Sequence, residues 1–470
     1  MPLALDAPSH DPAMPTPQVP IEIVLRILDL ANVSSPDPRL LRSCSLVCKA
    51  WSTHARKMLF RSISISSHHE YTAFVAAFKP HTPHRSARTV ITHRPHSARS
   101  LLSVGRGLSS PAINSAHSSS LRESVTELNA IVDPNKPGGL TFTELSHVVS
   151  LCPNLRKIGI SLFGVQPRGT VAERTADHSR VRLAPPVPDE ILQELRVAAN
   201  ASRISELRLH DWSDGSGILV KLLGVWPHIS SLKFAGKLPP IGDPAISAHT
   251  ISAAPCALEA LSLNCATGTE STVDFIKWLL AGSQRTLRCL EFLKEPSAKL
   301  LEDIFARSPF PLDSVSIPSC ASPEIGQIIR NRLWPTVVPG FGEKDDVIED
   351  KALTRVQGLK AVFVEDPSTP LKLLVSTVRS RTVQTFGFGV DRNTDLPSVA
   401  HAIKEQTGLK RLVVLVWNGG ERNVGIGRLR IACAVKGIEL EETRDVRQFR
   451  AQKAWGVAAS PSSSHAALLG

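Results

Sequence analysis

Histidine pairs are the first residues in this chain whose spacing points to chemistry. His81/His84 and His93/His96 form two His-x-x-His pairs, a spacing that would let both members of a pair reach one metal ion. The stretch around them contains no cysteine or carboxylate that would complete a ligand set. We therefore predict a polar linker here and no metal site.

Motifs for nucleophilic catalysis and for phosphate binding are lacking as well. Cys44 and Cys48 lie one helical turn apart, which fits two small core residues better than a reactive pair. Gly425 and Gly427 are not followed by the rest of a dinucleotide-binding loop, and neither a P-loop nor a G-x-S-x-G elbow occurs. We predict no catalytic residue and no cofactor, so the chain is not expected to be an enzyme.

Positive charge is concentrated in one segment. The chain has 54 basic and 43 acidic residues, a formal net charge of +11, but no acid lies between Glu70 and Glu123. Such a segment attracts phosphate groups without sequence preference, and it also has the composition of a solvated linker. We favour the linker and do not expect nucleic acid to be the main partner. The basic residues of this segment are Lys79, Arg85, Arg88, Arg94, Arg99, Arg106 and Arg122.

Composition and termini indicate a protein of the cytoplasm, the nucleus or both. The first residues include an acid and lack the basic start and apolar run of a secretory signal. No stretch approaches the ~18 apolar residues of a membrane span. Eight cysteines without a C-x-x-C pair fit reduced thiols better than a disulfide framework. We therefore expect no membrane partner.

Short helices are predicted after the Pro-rich N-terminal leader. Residues 20–31 carry apolar side chains in two adjacent lines, and residues 39–60 repeat the helical period as two helices broken near Ser45. Helices this short are unstable alone, and about forty residues make a marginal core. The module is therefore expected to share surface with a partner. One of the two lines of the first helix consists of Ile23, Ile27 and Leu30.

The two ends of this module resemble the F-box motif. Val19 to Leu28 (VPIEIVLRIL) supplies a Pro-x-Glu-Ile opening, and Leu40 to Trp51 (LLRSCSLVCKAW) supplies a Leu-Val-Cys-Lys-x-Trp close. The resemblance, to F-box proteins of the fungal (basidiomycete) type, implies a three-helix unit over residues 18–62 that binds a Skp-type adaptor and through it a cullin. An ordinary helical cap on the next domain is the alternative. The family's core and adaptor-facing positions fall on Pro20, Ile23, Leu46, Val47 and Trp51.

The remainder of the chain contains a degenerate repeat. An apolar-x-x-apolar-x-apolar pattern occurs nine times, from Leu155/Ile158/Ile160 to Leu409/Leu412/Val414. Six of the eight spacings are 24 to 29 residues, and the other two are near double. A helical stretch precedes many of these strands, and Thr141 with Glu144 predicts a capping box for one of them. The further helix candidates are 218–225, 272–280, 299–306, 371–378 and 398–405.

A helix, a turn and a strand at this period resemble the plan of leucine-rich repeats, in which parallel strands line a concave face. The family's Asn or Cys, five residues after the middle apolar residue, is matched only by Cys320. A compact α/β domain with a parallel sheet is therefore the alternative. The predicted fold class is α/β, with a three-helix F-box followed by a leucine-rich-repeat-like solenoid of parallel strands alternating with helices.

Five regions follow from these patterns. They are a disordered leader (1–17), the F-box (18–62), a basic Ser/Pro/His-rich connector (63–120) in which residues 59–65 are a candidate edge strand, the solenoid (121–447) with insertions near 166–188 and 335–350, and a flexible tail (448–470).

The function implied is that of a substrate-recognition adaptor in a Skp-cullin-F-box ubiquitin ligase. The repeat domain would bind a target protein on the side chains between the buried strand residues. The basic pair Arg208/Lys233 suits an acidic or phosphorylated segment. A repeat scaffold outside any ligase, with a connector that contacts nucleic acid, is the alternative. The predicted target-binding face consists of Arg208, His210, Lys233, Asn264, Glu291 and Glu365.

Overall fold

A computed structural model describes 12 ranges of the 470 residues, and they fall into two compact units. Unit 1 comprises residues 1–63 and 80–125, and unit 2 comprises residues 64–79 and 126–470. The described ranges are 20–34, 37–78, 121–164, 187–198, 203–212, 217–236, 254–264, 270–307, 312–320, 322–333, 358–405 and 407–450.

The N-terminal part of unit 1, residues 20–59, contains three short helices around a very small core. Pro38 opens the second helix, and the Asp37 side chain caps it by accepting a hydrogen bond from the backbone N–H of Arg39 at 2.8 Å. The core consists of Leu28, Cys44 and Ala55, with Leu25, Trp51 and Met58 packed against it. The helices are α1 (Ile21–Ser34), α2 (Pro38–Cys44) and α3 (Lys49–Leu59).

The twelve strands form one sheet in chain order, and all of them except the first two residues of β1 belong to unit 2. The ten pairings from the second strand to the twelfth are all parallel. The strands are β1 (Ser62–Ile65), β2 (Glu127–Val132), β3 (Lys157–Leu162), β4 (Glu206–Asp211), β5 (Ser231–Ala235), β6 (Ala260–Leu263), β7 (Cys289–Phe292), β8 (Ser314–Ile317), β9 (Ala361–Val364), β10 (Thr385–Val390), β11 (Arg411–Val416) and β12 (Glu439–Thr443).

Helices connect these strands on one side of the sheet. Each new strand is added next to the previous one in the same direction, so right-handed connections put every helix on the same face. Most neighbouring helices of this row pack on each other. The helices of unit 2 are α4 (His68–Phe78), α5 (Phe142–Leu151), α6 (Asp189–Val197), α7 (Ile218–Val225), α8 (Glu270–Ala281), α9 (Ala298–Arg307), α10 (Pro323–Leu333), α11 (Leu371–Arg379), α12 (Leu396–Glu405) and α13 (Gly425–Lys436).

A ladder of shared backbone carbonyls fixes the register of the repeats. The carbonyl of Thr126 accepts hydrogen bonds from the N–H groups of both Arg156 and Lys157, each at 3.0 Å. The same arrangement recurs at every step from β2/β3 to β10/β11. The backbone thus starts each strand in register without the Asn of the family consensus. The accepting carbonyls belong to Thr126, Arg156, Ser205, Ser230, Glu259, Arg288, Asp313, Lys360 and Gln384.

The α/β repeat predicted from the sequence is confirmed at the level of parallel strands alternating with helices. Thr141 and Glu144 form the predicted capping box at the start of α5. The five further helix candidates correspond to α7, α8, α9, α11 and α12, and β1 lies at the sheet edge. The sequence patterns missed β2, β12, α6, α10 and α13.

Two predicted boundaries differ from the structure. The connector predicted for 63–120 begins with ordered chain, because residues 68–78 form α4 and Tyr71 Oη lies 2.8 Å from His147 Nδ1 of α5. The tail predicted for 448–470 begins inside a helical turn at residues 446–450. The leader, the rest of the connector, both histidine pairs and most of the two insertions lie outside the described residues.

Candidate functional site: two interaction surfaces

The first candidate surface lies on α1 of unit 1. Its two apolar lines have different environments: Leu28 is buried in the small core, whereas Ile23 and Ile27 are 51% and 56% exposed. Leu30, one turn further along, is exposed too. An amphipathic helix normally turns its apolar line inward. Here one line faces the core and the other faces solvent.

The turn between α2 and α3 adds to this surface. Leu46 is 86% exposed and Val47 is 62% exposed, although both are aliphatic. Exposed aliphatic side chains scattered singly are ordinary, whereas this many within one short module make it a candidate interaction surface. We call this set the apolar patch: Ile21, Ile23, Ile27, Leu30, Leu40, Leu46 and Val47.

The five positions carried over from the F-box motif divide between this patch and the core. Ile23, Leu46 and Val47 belong to the patch, and Pro20 is exposed just before α1. Trp51 is half-buried and packs against the core of unit 1. A 3.0 Å hydrogen bond between His54 Nε2 and Asp29 Oδ1 joins α3 to α1, so the two helices are held by a polar contact as well as by that core.

The second candidate surface is the sheet face opposite the helix row, which we call the front face. Side chains alternate along each strand, so Leu207 and Leu209 of β4 point into the core while Arg208 points forward. The strand register aligns one forward-pointing residue of each strand in a row across the sheet. This row runs Asn129, Gly159, Arg208, Lys233, Ser262, Glu291, Ser316, Phe363, Gly387 and Val413.

Two ion pairs on the front face each connect strands that are not neighbours. In each case the strand between them has a small residue in the row. Arg208 of β4 reaches Glu127 of β2 at 3.4 Å, passing Gly159 of β3, where a Cβ atom would lie only 2.4 Å from the Asn129 side chain. The Lys233 ammonium of β5 reaches Glu291 of β7 at 3.8 Å across Ser262 of β6.

These pairs change the interpretation of Arg208 and Lys233. Each cation already faces a carboxylate, and Glu206 also binds Arg208 at 2.6 Å. Desolvation opposes ionisation of Glu206, but the contacts with Lys157 and Arg208 outweigh it and lower the pKa of that carboxyl. An acidic segment would have to displace these partners, so the basic pair by itself is a weaker anion site than the sequence indicated.

His210 lies beside this ion-pair network. Packing around the ring lowers its pKa below the ordinary value, and the positive charges of Lys233 and Arg208 lower it further. The imidazole is therefore neutral at pH 7, so one ring nitrogen can donate a hydrogen bond and the other can accept one.

The remaining predicted face residues lie further along the sheet. Asn264 directly follows β6, and its buried Oδ1 has no hydrogen-bond partner within the described ranges. Glu365, predicted to be exposed to a ligand, is instead buried after β9. Its carboxylate accepts two hydrogen bonds from Arg450, at 2.9 and 2.7 Å. Arg450 therefore already occupies this end of the predicted face.

Burial along the front face is greater at β8 and β9 than at most of the earlier strands. The strands β3, β4, β5 and β7 alternate between buried and partly exposed residues, β6 is buried at three of its four residues, and β8 and β9 are buried throughout. A strand that is buried on both faces has other parts of the protein packed against each face. Over β9 and β11, Phe449 lies in one cluster with Ala361, Phe363, Val413 and Leu415.

An aromatic pair that sequence reasoning did not assign to the site lies at the ends of two strands. Phe163 and Trp212 follow β3 and β4, and their rings stack with centroids 5.8 Å apart. Trp212 is 54% exposed, near His210 in sequence and on the same side of its strand. The sequence did contain a signal for this pair, because both aromatic residues occupy the position at which the leucine-rich-repeat consensus has Asn or Cys.

Thiols and charged clusters give no sign of chemistry in the described parts of the chain. Burial raises the pKa of Cys256 to about 11 and of Cys289 to about 12, so both stay protonated at neutral pH. No group of three or more His, Cys, Asp or Glu residues there could hold a metal ion. A cleft near the start of α13 is lined by Arg430 and Glu442, which bind each other at 2.7 Å.

No protein-family model and no curated protein matches this chain. Among the described residues, the structure contains no helix that is both long enough and apolar enough to cross a membrane.

Proposed function

We propose that this chain is the substrate-recognition adaptor of a Skp-cullin-F-box ubiquitin ligase. Unit 1 is the F-box and binds a Skp-type adaptor, which connects it to a cullin. Unit 2 is a leucine-rich-repeat-like receptor that binds a target protein. The chain performs no catalysis in this role. It raises the effective concentration of the target near the ubiquitin-carrying enzyme.

The apolar patch carries this proposal. Among its described residues, unit 1 buries only a handful of side chains, while Ile23, Ile27, Leu46 and Val47 expose most of theirs. Fully burying one such aliphatic side chain contributes about 1.5–3 kcal/mol, so a partner that covers the patch would supply much of the stability the module lacks. The patch coincides with the segment that resembles the F-box motif, which favours a Skp-type adaptor over an unspecified partner.

Co-purification with a Skp-type adaptor tests the proposal. The unaltered chain is expected to form a stoichiometric complex. A double variant, Ile23→Asp with Val47→Asp, is expected to lose it, because two carboxylates would be desolvated in the interface. Ile431→Asp with Val435→Asp is the matched control, since these residues of α13 are 60% and 72% exposed but lie in unit 2.

Two results would contradict the proposal. One is a folded, unaltered chain that does not bind the adaptor. The other is equal binding by the Ile23/Val47 variant and the Ile431/Val435 control. Circular dichroism of all three proteins separates loss of binding from loss of fold.

A further inference from the structure

The last residues that the structure describes pack against the front face over β9 and β11. Residues 446–450 are helical, and we call this described segment the C-terminal turn. The Thr443 hydroxyl accepts a hydrogen bond from Asp445 N–H at 3.1 Å, and the Asp445 carboxylate accepts one from Arg447 N–H at 2.7 Å. The turn is thus held by its own local hydrogen bonds.

Phe449 fills a pocket made by the sheet. Its ring is fully buried and meets the Phe363 ring edge-on, with centroids 5.8 Å apart. Gly387, between Phe363 and Val413 in the row, leaves the space: a Cβ atom there would lie 2.3 Å from Phe363 and 3.0 Å from Phe449. The glycine of β10 therefore leaves the space that the Phe449 ring fills.

Arg450 occupies an acidic site next to this pocket. Its guanidinium binds the buried Glu365 carboxylate through two hydrogen bonds, the fork geometry that favours Arg over Lys. The bond to Glu365 raises the pKa of Arg450, although burial opposes this, and the charges of Glu365 and Glu291 raise it further. The Phe449 ring and the Arg450 guanidinium thus lie in neighbouring positions on this face.

Unused hydrogen-bonding groups continue from this site toward β6. Ser316 and Ser262 flank Glu291 in the row, and both are more than nine-tenths buried. Neither hydroxyl has a hydrogen-bond partner in the described part of the chain. Buried hydroxyls normally have a partner, so these two are exceptions on this face.

We infer that the front face over β7–β11 is a binding site for a partner segment that carries an aromatic residue followed by Arg, and that the C-terminal turn occupies this site in cis. The partner's ring enters the pocket at Gly387, and its guanidinium binds Glu365. The inference specifies which class of target the proposed receptor binds. It rests on the proposed function only in calling the partner a target.

Peptide binding to a chain with its own turn disabled tests the inference. The full chain carrying Phe449→Ala and Arg450→Ala is mixed with a fluorescein-labelled peptide of residues 443–455 (TRDVRQFRAQKAW), and binding is followed by anisotropy. We expect saturable binding, at least tenfold tighter than to the unaltered chain, whose own turn competes at high effective concentration. A peptide that keeps only the Phe-Arg pair in a Gly/Ser background is expected to bind as well.

Matched controls assign the binding to this site. Adding Glu365→Gln to the opened chain is expected to weaken the peptide at least tenfold, whereas Glu302→Gln, an exposed carboxyl of α9, is expected to leave it unchanged. Failure of the folded, opened chain to bind the peptide would overturn the inference. So would equal binding of a peptide with Ala at both positions. Adaptor co-purification is measured on the same variants, so failure of the proposed function is seen separately.

Discussion

At the scale of single residues, the requirement for glycine at position 387 has the clearest structural explanation. The front row has a side chain on either side of it, Phe363 and Val413, and the Phe449 ring lies against the gap. A methyl group would have to push one of two buried rings aside. Rings in a close-packed cluster have little room to move.

Gly387→Ala is therefore expected to destabilise the protein by about 1–3 kcal/mol, the usual effect of overpacking. Chemical denaturation followed by circular dichroism measures it. Gly427→Ala is the matched control, because a Cβ there meets no atom within 4 Å and alanine favours the helix. Equal stability of the two variants would show that the pocket is not tightly filled.

His210 gives a second residue-scale prediction, on pH. Its pKa is lower in the folded protein than the unfolded value of about 6.5, so the unfolded chain binds this proton more readily. Stability that depends on His210 is present above pH 6.5 and is lost as the pH falls below that value. Glu206 and similar carboxyls lose their contribution only at lower pH, because their pKa values start below 4.5.

His210→Gln should therefore lose less stability than the unaltered chain between pH 7.5 and pH 5.5. Denaturant midpoints at several pH values measure this difference, and the remaining histidines contribute equally to both proteins. Parallel curves for the two proteins would show that the environment of the ring does not disfavour its charge.

At the scale of elements, the start of α5 shows how local chemistry sets a boundary. The Thr141 hydroxyl accepts a hydrogen bond from Glu144 N–H at 3.2 Å, and the Glu144 carboxylate accepts one from Thr141 N–H at 2.9 Å. Thr141→Ala is expected to reduce the free energy of unfolding by about 1 kcal/mol, since it leaves a helix N–H without its cap. Thr141→Ser keeps the hydroxyl and should change stability by much less. Thermal unfolding of both variants measures these changes in stability. Similar losses of stability in the two variants would assign the effect to the Thr141 methyl group and not to its hydroxyl.

Elements with an apolar repeat were predictable because their buried side is made of large side chains. The strand β2 was missed since its central buried residue is Ala130, and β12 was missed since its sequence, ELEET, is dominated by acids. Gly425 and Gly427 weakened the helical pattern of α13. These elements are specified by their position beside a completed repeat rather than by their own composition.

The candidate sites were harder to predict than the elements. Both lines of α1 are apolar, so the sequence alone does not decide that Leu28 is buried and Ile27 exposed. The role of Phe449 depends on a cavity made by residues more than 30 positions away, in β9, β10 and β11. Contacts of this kind are set by the register of the whole sheet. Arg208 and Lys233 were located correctly on one face, but their carboxylate partners come from β2 and β7.

At the scale of the whole molecule, two units with separate cores favour two separable binding activities. Unit 1 carries the apolar patch, and unit 2 carries the front face. A repeat array is stabilised by contacts between neighbouring repeats, so changes confined to unit 1 need not alter the sheet. Because the two binding activities are expected to be separable, the basic segment of residues 79–120 can be replaced and each activity measured by itself.

Replacing residues 79–120 with a Gly/Ser linker of equal length is expected to leave adaptor co-purification unchanged, because none of the patch residues is removed. Any retention of the protein on DNA or RNA should fall, and the part that is lost should be the salt-sensitive part, since it depends on releasing counterions from phosphates. Binding to the Phe-Arg peptide, measured with the linker placed in the opened chain, should also persist. If the linker abolished adaptor binding while the helices stayed folded, the surface of unit 1 would have to include this segment. If nucleic-acid retention were strong in the unaltered chain and the adaptor failed to bind, a nucleic-acid-associated scaffold would replace the ligase adaptor as the better account of the molecule.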